Sequence, residues 1–276
     1  MACVARSLAI LCSKSRLLSQ CNIWSNNRSC ASRMSLKTTT SSGRSKEVSS
    51  LSSNSHQHFD YFVILDFEAT CESKRQLEFV EIIEFAALLV QTKKDEKKEE
   101  KESETDEEKS NMQIKDQFHS FVRPQINAEL SAFCVNLTGI TQETVDESPT
   151  FIHVFQAFQT WMKDKKLVDQ VTDEPTTPFA FITCGNWDLS SALINQSQFD
   201  NLTLPDYFSR WIDVKQSFFK MTGHWPRGLM DMLHRQGITP VGRHHSGIDD
   251  CRNLHLLVRD LASKGHVFEI TNRLIR

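Results

Sequence analysis

Asp66 and Glu68 stand two residues apart at the end of the apolar run Tyr61 to Phe67. In an extended strand that spacing puts both carboxylates on one face. Two like charges held together in a low dielectric are costly unless a cation lies between them. The pair is therefore a candidate metal site as well as a pair of strand-end acids. Asp188 is a third acid after an apolar run, Phe179 to Thr183, and a glycine-containing turn. It fits equally well as the cap of a helix opening with Leu189 and Ser190. The segment His244-His245-Ser246-Gly247-Ile248-Asp249-Asp250 supplies the rest. Asp250 precedes Leu254, Leu257 and Leu261 by four, seven and eleven residues, which puts it on the inward stripe of a final helix. A carboxylate there needs a partner, and a bound cation would be one. Asp249 instead groups with Asn253 and Asp260 on a more polar face and suits the positive end of the helix dipole. His245 lies on the turn into the helix, within reach of solvent and substrate. Its neighbour His244 is expected to be dispensable.

Several elements must bring these groups together. Tyr61 to Phe67, rich in aromatic and β-branched residues, reads as a strand buried on both faces. Further strand patterns cover Ile82 to Val90, the neighbourhood of Phe118 to Val122, and Phe179 to Thr183. Phe151, Val154, Phe155, Phe158 and Met162 have helical spacing, and helical patterns recur over Trp211 to Met221 and Leu229 to Arg235. The last helix starts near Gly247 and should stop before Gly265, a suitable C-cap. Strands first and helices interleaved later predict an α/β domain with a mixed sheet.

The 276 residues, 39% hydrophobic and 24% charged, suit one globular domain with tails. No stretch approaches the roughly 18 apolar residues of a membrane span, so no membrane association is expected. Residues 1–50 hold eight Lys and Arg against a single acid, Glu47. We read 1–55 as a disordered basic tail with the composition of a mitochondrial transit peptide, the cytoplasm and nucleus being the alternative addresses. Residues 58–270 would form the catalytic domain, interrupted at 93–110 by six lysines and nine acids. That run cannot bury enough apolar surface to offset its ordering, so it is expected to be a disordered acidic loop, available for protein partners. The formal charge of −3 does not advertise nucleic-acid binding. Bound divalent cations would reverse the sign of an acidic pocket. Eight cysteines without a C-x-x-C pair argue against zinc or a disulfide framework.

Taken in order, D-x-E on a first strand, a later Asp after a buried strand and H-x-x-x-x-D entering a final helix resemble the DEDDh group of DnaQ-like exonucleases. The likeness extends to FVILDFEATC (62–71), EIIEF (81–85), FCVNLTGIT (133–141), CGNWDL (184–189), WIDVK (211–215) and GRHHSGIDDCRN (242–253). Those segments are similar to the Eri-type 3′-to-5′ exoribonucleases, in particular their short forms, from Tyr61 to about Ala262. The resemblance implies an RNase H-like fold, a central mixed β-sheet flanked by helices. It implies two Mg²⁺ or Mn²⁺ ions held by Asp66, Glu68, Asp188 and Asp250, with Glu68 bridging both. One ion would activate a water and the other stabilise the leaving 3′-oxygen, releasing nucleoside 5′-monophosphates from RNA with a free 3′ end. Glu68 and His245 would be catalytic, His245 taking the proton of the attacking water. The terminal nucleotide would lie against Glu68, Ala69 and His245, with Trp187 stacking on its base; Phe67 belongs rather to the core. Leu137, Thr138 and Gly139 fall in a family motif near the 3′ end, though a plain helix-to-loop turn explains them too. A DNA 3′ exonuclease of the same fold and a non-catalytic RNA-binding adaptor are the alternatives, since only contacts to the 2′-hydroxyl tell RNA from DNA. The acidic insertion at 93–110 departs from the family pattern.

Overall fold

Phe62, Val63, Ile64 and Leu65 are all fully enclosed, because β1 (Tyr61–Ala69) is an inner strand of a six-stranded sheet with cores on both faces. The computed structural model describes residues 56–92 and 112–274. The basic tail and the acidic run read from the sequence lie outside the described residues. The strand order is β3 (Gln113–Phe121), β2 (Ile82–Gln91), β1, β4 (Phe179–Thr183), β5 (Arg210–Asp213) and β6 (Asn272–Arg273). β2 pairs antiparallel with β1 and β3, β4 and β5 continue the sheet in parallel, and β6 closes it antiparallel. The sheet is mixed, as the order of elements predicts.

Strand alternation divides the core in two. Val63, Leu65 and Phe67 join Phe85, Ala87 and Leu89 on the face covered by α3 (Phe151–Asp164). The predicted stripe of α3, Phe151 to Met162, is buried there, and the Phe158 ring lies 4.6 Å from that of Phe85. Phe62 and Ile64 join Ala86, Leu88 and Val90 on the opposite face. That face is covered by α5 (Val214–Thr222), α6 (Leu229–Gln236) and α7 (Gly247–Ser263). Two short helices, α1 (Ala132–Thr138) and α2 (Gln142–Asp146), precede α3. A π-helical turn (Asp188–Ala192) leads from β4 into α4 (Leu193–Phe199).

Two elements differ from the sequence reading. β3 begins at Gln113 rather than near Phe118, because it is an edge strand with many partly exposed polar side chains and its apolar signal is confined to its end. Trp211 to Asp213 is strand, with the helix starting at Val214. Phe181 and Ile182 of β4 pair with Trp211 and Ile212, so the sheet takes residues whose spacing alone suits a helix. Gly265, at φ +89°, follows the end of α7 in the left-handed conformation its lack of a Cβ permits.

Candidate metal centre

Asp66 and Glu68 continue the alternation of Phe62 and Ile64, so both belong to the sheet face covered by α7. Asp250 comes to them from the buried stripe of α7. Asp66, Glu68 and Asp250 each place a carboxylate oxygen within 4.8 Å of the others. Asp188 arrives from the β4 side of β1. It is buried and accepts a hydrogen bond of 3.0 Å from the Phe67 N–H. It therefore does not cap the helix it opens; it lies in the π-helical turn and is bonded to the strand that carries Asp66 and Glu68. The turn before it is held from below. Gly185 adopts φ +103°, and its N–H donates to Asp213 Oδ1 at 3.0 Å, the oxygen that also caps α5 through the Lys215 N–H.

The crowding of acids leaves an electrostatic mark. Burial, then Asp188, Glu68 and Asp250, holds the Asp66 carboxyl well above the ordinary range. Burial, then Glu84 and Asp250, pushes Glu68 up to about 8. Asp188 is raised to about 6, burial outweighing the Phe67 N–H that favours its charged form. An all-oxygen donor set with excess negative charge fits a hard divalent cation. Glu68 holds more protons folded than unfolded between its ordinary value of 4.5 and about 8, so ionising it lowers stability as pH rises through that window. We expect the melting temperature of metal-free protein to fall over that window and saturating Mg²⁺ to remove the fall. A flat profile in chelator would show that the carboxylates are not crowded.

The turn before α7 is more specialised than its sequence suggests. His245 has φ +65°, uncommon for a residue with a Cβ, and its N–H donates to Asp250 Oδ2 at 3.0 Å. The His244 Nδ1 lies 3.0 Å from the same oxygen, and the two imidazoles stack with centroids 3.9 Å apart. His244, whose loss is expected from the sequence to cost little, nonetheless touches both Asp250 and His245. Burial, then His244, keeps the His245 imidazole below its ordinary range despite Asp250.

Glu84, which sequence reasoning passed over within EIIEF, holds this end of α7. It faces Glu68 across the β1–β2 ladder and is 1% exposed. Ser246 makes no side-chain cap, and the Glu84 carboxylate takes that role by accepting from the Gly247 and Ile248 N–H groups at 2.9 and 3.2 Å. His119 Nε2 meets Glu84 Oε1 at 2.8 Å. A Cβ on Gly247 would meet the Asp66 carbonyl oxygen and Glu84 Cδ at 3.2 Å, so the helix start approaches the sheet closely only with glycine there. The signal was present in the sequence: an acid with the parity of Ala86, Leu88 and Val90 in an otherwise apolar strand. Glu84→Ala should lower stability by about 2 kcal/mol, the scale of hydrogen bonds to a charged group, and speed amide exchange at Gly247 and Ile248. Unchanged exchange at those two amides would exclude the cap. Asn253 also differs from its reading: it is fully buried and pairs both its amide atoms with the Val241 backbone.

Around the acids, Ala69 is half-buried at the end of β1 and Trp187 is 45% exposed. Phe67 packs edge-on against Phe85 in the core. Leu137 and Thr138 end α1, with Gly139 as its left-handed cap. The Arg243 guanidinium donates to the Asn136 carbonyl there, which ties that end of α1 to the histidine turn. Asp249 accepts from the Arg243 N–H and pairs with Arg252, away from the other acids.

The exonuclease family RNase_T matches residues 63–258, a span that includes every acid described above and both histidines. The chain belongs to the exonuclease family. ERI1 exoribonuclease 3 of Homo sapiens is 37% identical over 218 residues, 79% of this chain and 58% of that protein. The 3′-5′ exoribonuclease 1 of Homo sapiens is 34% identical over 221 residues, 79% of this chain and 56% of that protein. The chain thus spans less than two thirds of the length of these curated relatives. Among solved structures, the nuclease domain of 3′hExo, a DEDDh family member bound to rAMP, superposes with a TM-score of 0.68 at 34% identity, covering 79% of this chain and 98% of that one. A 3′-exonuclease described in 3′-end specific recognition of a histone mRNA stem-loop superposes at 0.67 with 32% identity, covering 80% and 70%. The fold is therefore the RNase H-like fold of the DEDDh exonucleases, and dependence on a divalent metal follows from that membership.

Proposed function

We propose that this exonuclease-family chain is a 3′-to-5′ exoribonuclease that uses two Mg²⁺ or Mn²⁺ ions to remove nucleoside 5′-monophosphates from RNA with a free 3′ end. The observation that carries the reading is the convergence of Asp66, Glu68 and Asp250 on one point, with His245 beside Asp250. Asp66, Glu68, Asp188 and Asp250 would hold the ions. When bound, such ions supply charge for the scissile phosphate and lower the pKa of water. The chain's own residues supply the rest. His245, neutral below the usual imidazole range, accepts the proton of the attacking water at a ring nitrogen. The Asp250 carboxylate and the cap from Glu84 fix the backbone from which that ring projects. Trp187 offers a half-exposed indole on which the terminal base stacks, and Ala69 leaves room at the strand end for its sugar.

A 5′-labelled RNA and the DNA of the same sequence, incubated with the full chain in Mg²⁺, test this. RNA should shorten stepwise from its 3′ end, chelator should stop it, and the DNA should persist. Equal loss of both strands would remove the sugar preference, and loss of neither would remove the activity. We also propose that residues 1–50 direct the chain to mitochondria, because their eight basic residues and single acid suit import driven by a potential negative inside. A fluorescent reporter carrying them should be mitochondrial; a diffuse reporter would overturn the address and leave the nuclease reading intact.

A further inference from the structure

Asp250 belongs to two donor groups of different chemistry. One is the all-oxygen group with Asp66 and Glu68; the other is His244, His245 and Asp250, whose nitrogen and oxygen ligand atoms also lie within 4.8 Å of one another. We propose that the second group is a site for Zn²⁺ or a similar borderline ion, and that its occupation switches the nuclease off. The regulatory half of this rests on the function proposed above; the binding half does not.

The donor types decide the ion. Two imidazoles and one carboxylate, with a fourth position open to water, form a ligand set that suits zinc, whereas Mg²⁺ and Mn²⁺ select oxygen. The distances need little change. His244 Nδ1 and Asp250 Oδ2 are 3.0 Å apart, and two ligands at about 2.0–2.1 Å from a tetrahedral zinc stand roughly 3.3–3.4 Å apart. The rings of His244 and His245 are adjacent but stacked, at 3.9 Å with 27° between their planes, so one ring must rotate for both nitrogens to aim at a single ion. The backbone holds them so: His245 is fixed at φ +65° by its N–H bond to Asp250, and Arg243 ties the turn to α1. The three ligands therefore come from one short stretch, Arg243 to Asp250, that is braced at both ends. A zinc ion here would occupy the nitrogen that accepts the proton from water and would draw Asp250 away from the all-oxygen group. The absence of a C-x-x-C pair, which speaks against a cysteine-ligated zinc, has no bearing on a site built from adjacent histidines.

The test is equilibrium binding of Zn²⁺, with Co²⁺ as the spectroscopic probe, to the metal-free full chain, to His244→Ala and to Asp66→Ala, each checked by thermal melting. His244 is exposed enough for truncation to be tolerated. The parent should bind one ion tightly, giving the intense visible d–d bands of four-coordinate Co²⁺ without thiolate charge-transfer absorption. His244→Ala should weaken binding by at least the roughly 10–100-fold that even outer-shell partners contribute. Asp66→Ala should retain the zinc. If instead Asp66→Ala loses the ion and His244→Ala keeps it, zinc occupies the all-oxygen group and the proposal fails. Binding that survives both changes, or a thiolate band, also overturns it. Since binding is read without turnover, a protein inactive on RNA would refute the function and not the site. In active protein, Zn²⁺ at concentrations far below Mg²⁺ should stop RNA shortening in the parent, with a markedly higher inhibitory concentration in His244→Ala; equal inhibition of both would exclude the switch.

Discussion

Asp66→Ala is expected to abolish RNA shortening while leaving the metal-free protein at least as stable as its parent. The Asp66 carboxyl is held far above its ordinary range by burial and by four neighbouring acids, so its removal relieves repulsion even as it removes a metal ligand. The loss of turnover should exceed the roughly 10²–10³-fold that follows removal of a single charge-stabilising group. Asp188→Ala should be as inactive and yet behave differently on melting. Its Oδ1 is the acceptor of the Phe67 N–H, and leaving that buried donor without a partner costs about 1–3 kcal/mol. Measuring melting and 3′ trimming on the same preparations separates the two. Parent-like degradation by either variant would remove that residue from the metal centre.

His245→Ala should reduce turnover by roughly 10²–10⁴-fold, the scale of lost acid–base catalysis. The left-handed backbone at this position complicates alanine, since a Cβ is strained at φ +65° whatever the side chain does. His245→Asn is the cleaner variant, because asparagine tolerates that conformation and retains no base. Equal losses in the two variants would assign the effect to the imidazole; recovery in His245→Asn would assign it to the turn. His244→Ala should show an intermediate loss, for its ring contacts both Asp250 and His245. In the parent, the acidic limb of kcat/KM should fall below the usual histidine range, since burial and His244 favour the neutral ring. A limb at the ordinary value would show that His245 is solvated during turnover.

The parts of this protein that can be read from its sequence are those in which one residue's surroundings follow from its own neighbours. The alternation of β1 places Asp66 and Glu68 on one face without knowledge of any other strand, and the stripe of α7 separates Asp250 from Asp249 by helical spacing alone. Across-chain relations are less legible. Asn253 reads as a polar-face residue because its polarity is visible and its partner, the Val241 backbone twelve residues earlier, is not. Glu84 carries a weak local signal, an acid in an apolar run, whose meaning appears only once the start of α7 is brought against β2. Trp211 and Ile212 have helical spacing and become strand because β4 offers them a parallel edge. The contacts of His244 are illegible for a similar reason: in a row of letters it is a spare histidine, whereas the left-handed turn at His245 folds it back over Asp250.

The placement of α7 has a consequence for a protein that would act on RNA. Asp66 and Glu68 belong to the first strand of the domain, Asp250 to its last long helix and His245 to the turn just before that helix. At elongation rates of about 5–20 residues per second, a ribosome would take roughly ten to forty seconds to travel from the codon for Asp66 to that for Asp250. Throughout that interval the growing chain has only part of the donor set and no base. A nascent chain is therefore harmless to the message from which it is being read, and cutting power arrives at a single late moment, when α7 has been made and has settled against β1 and β2.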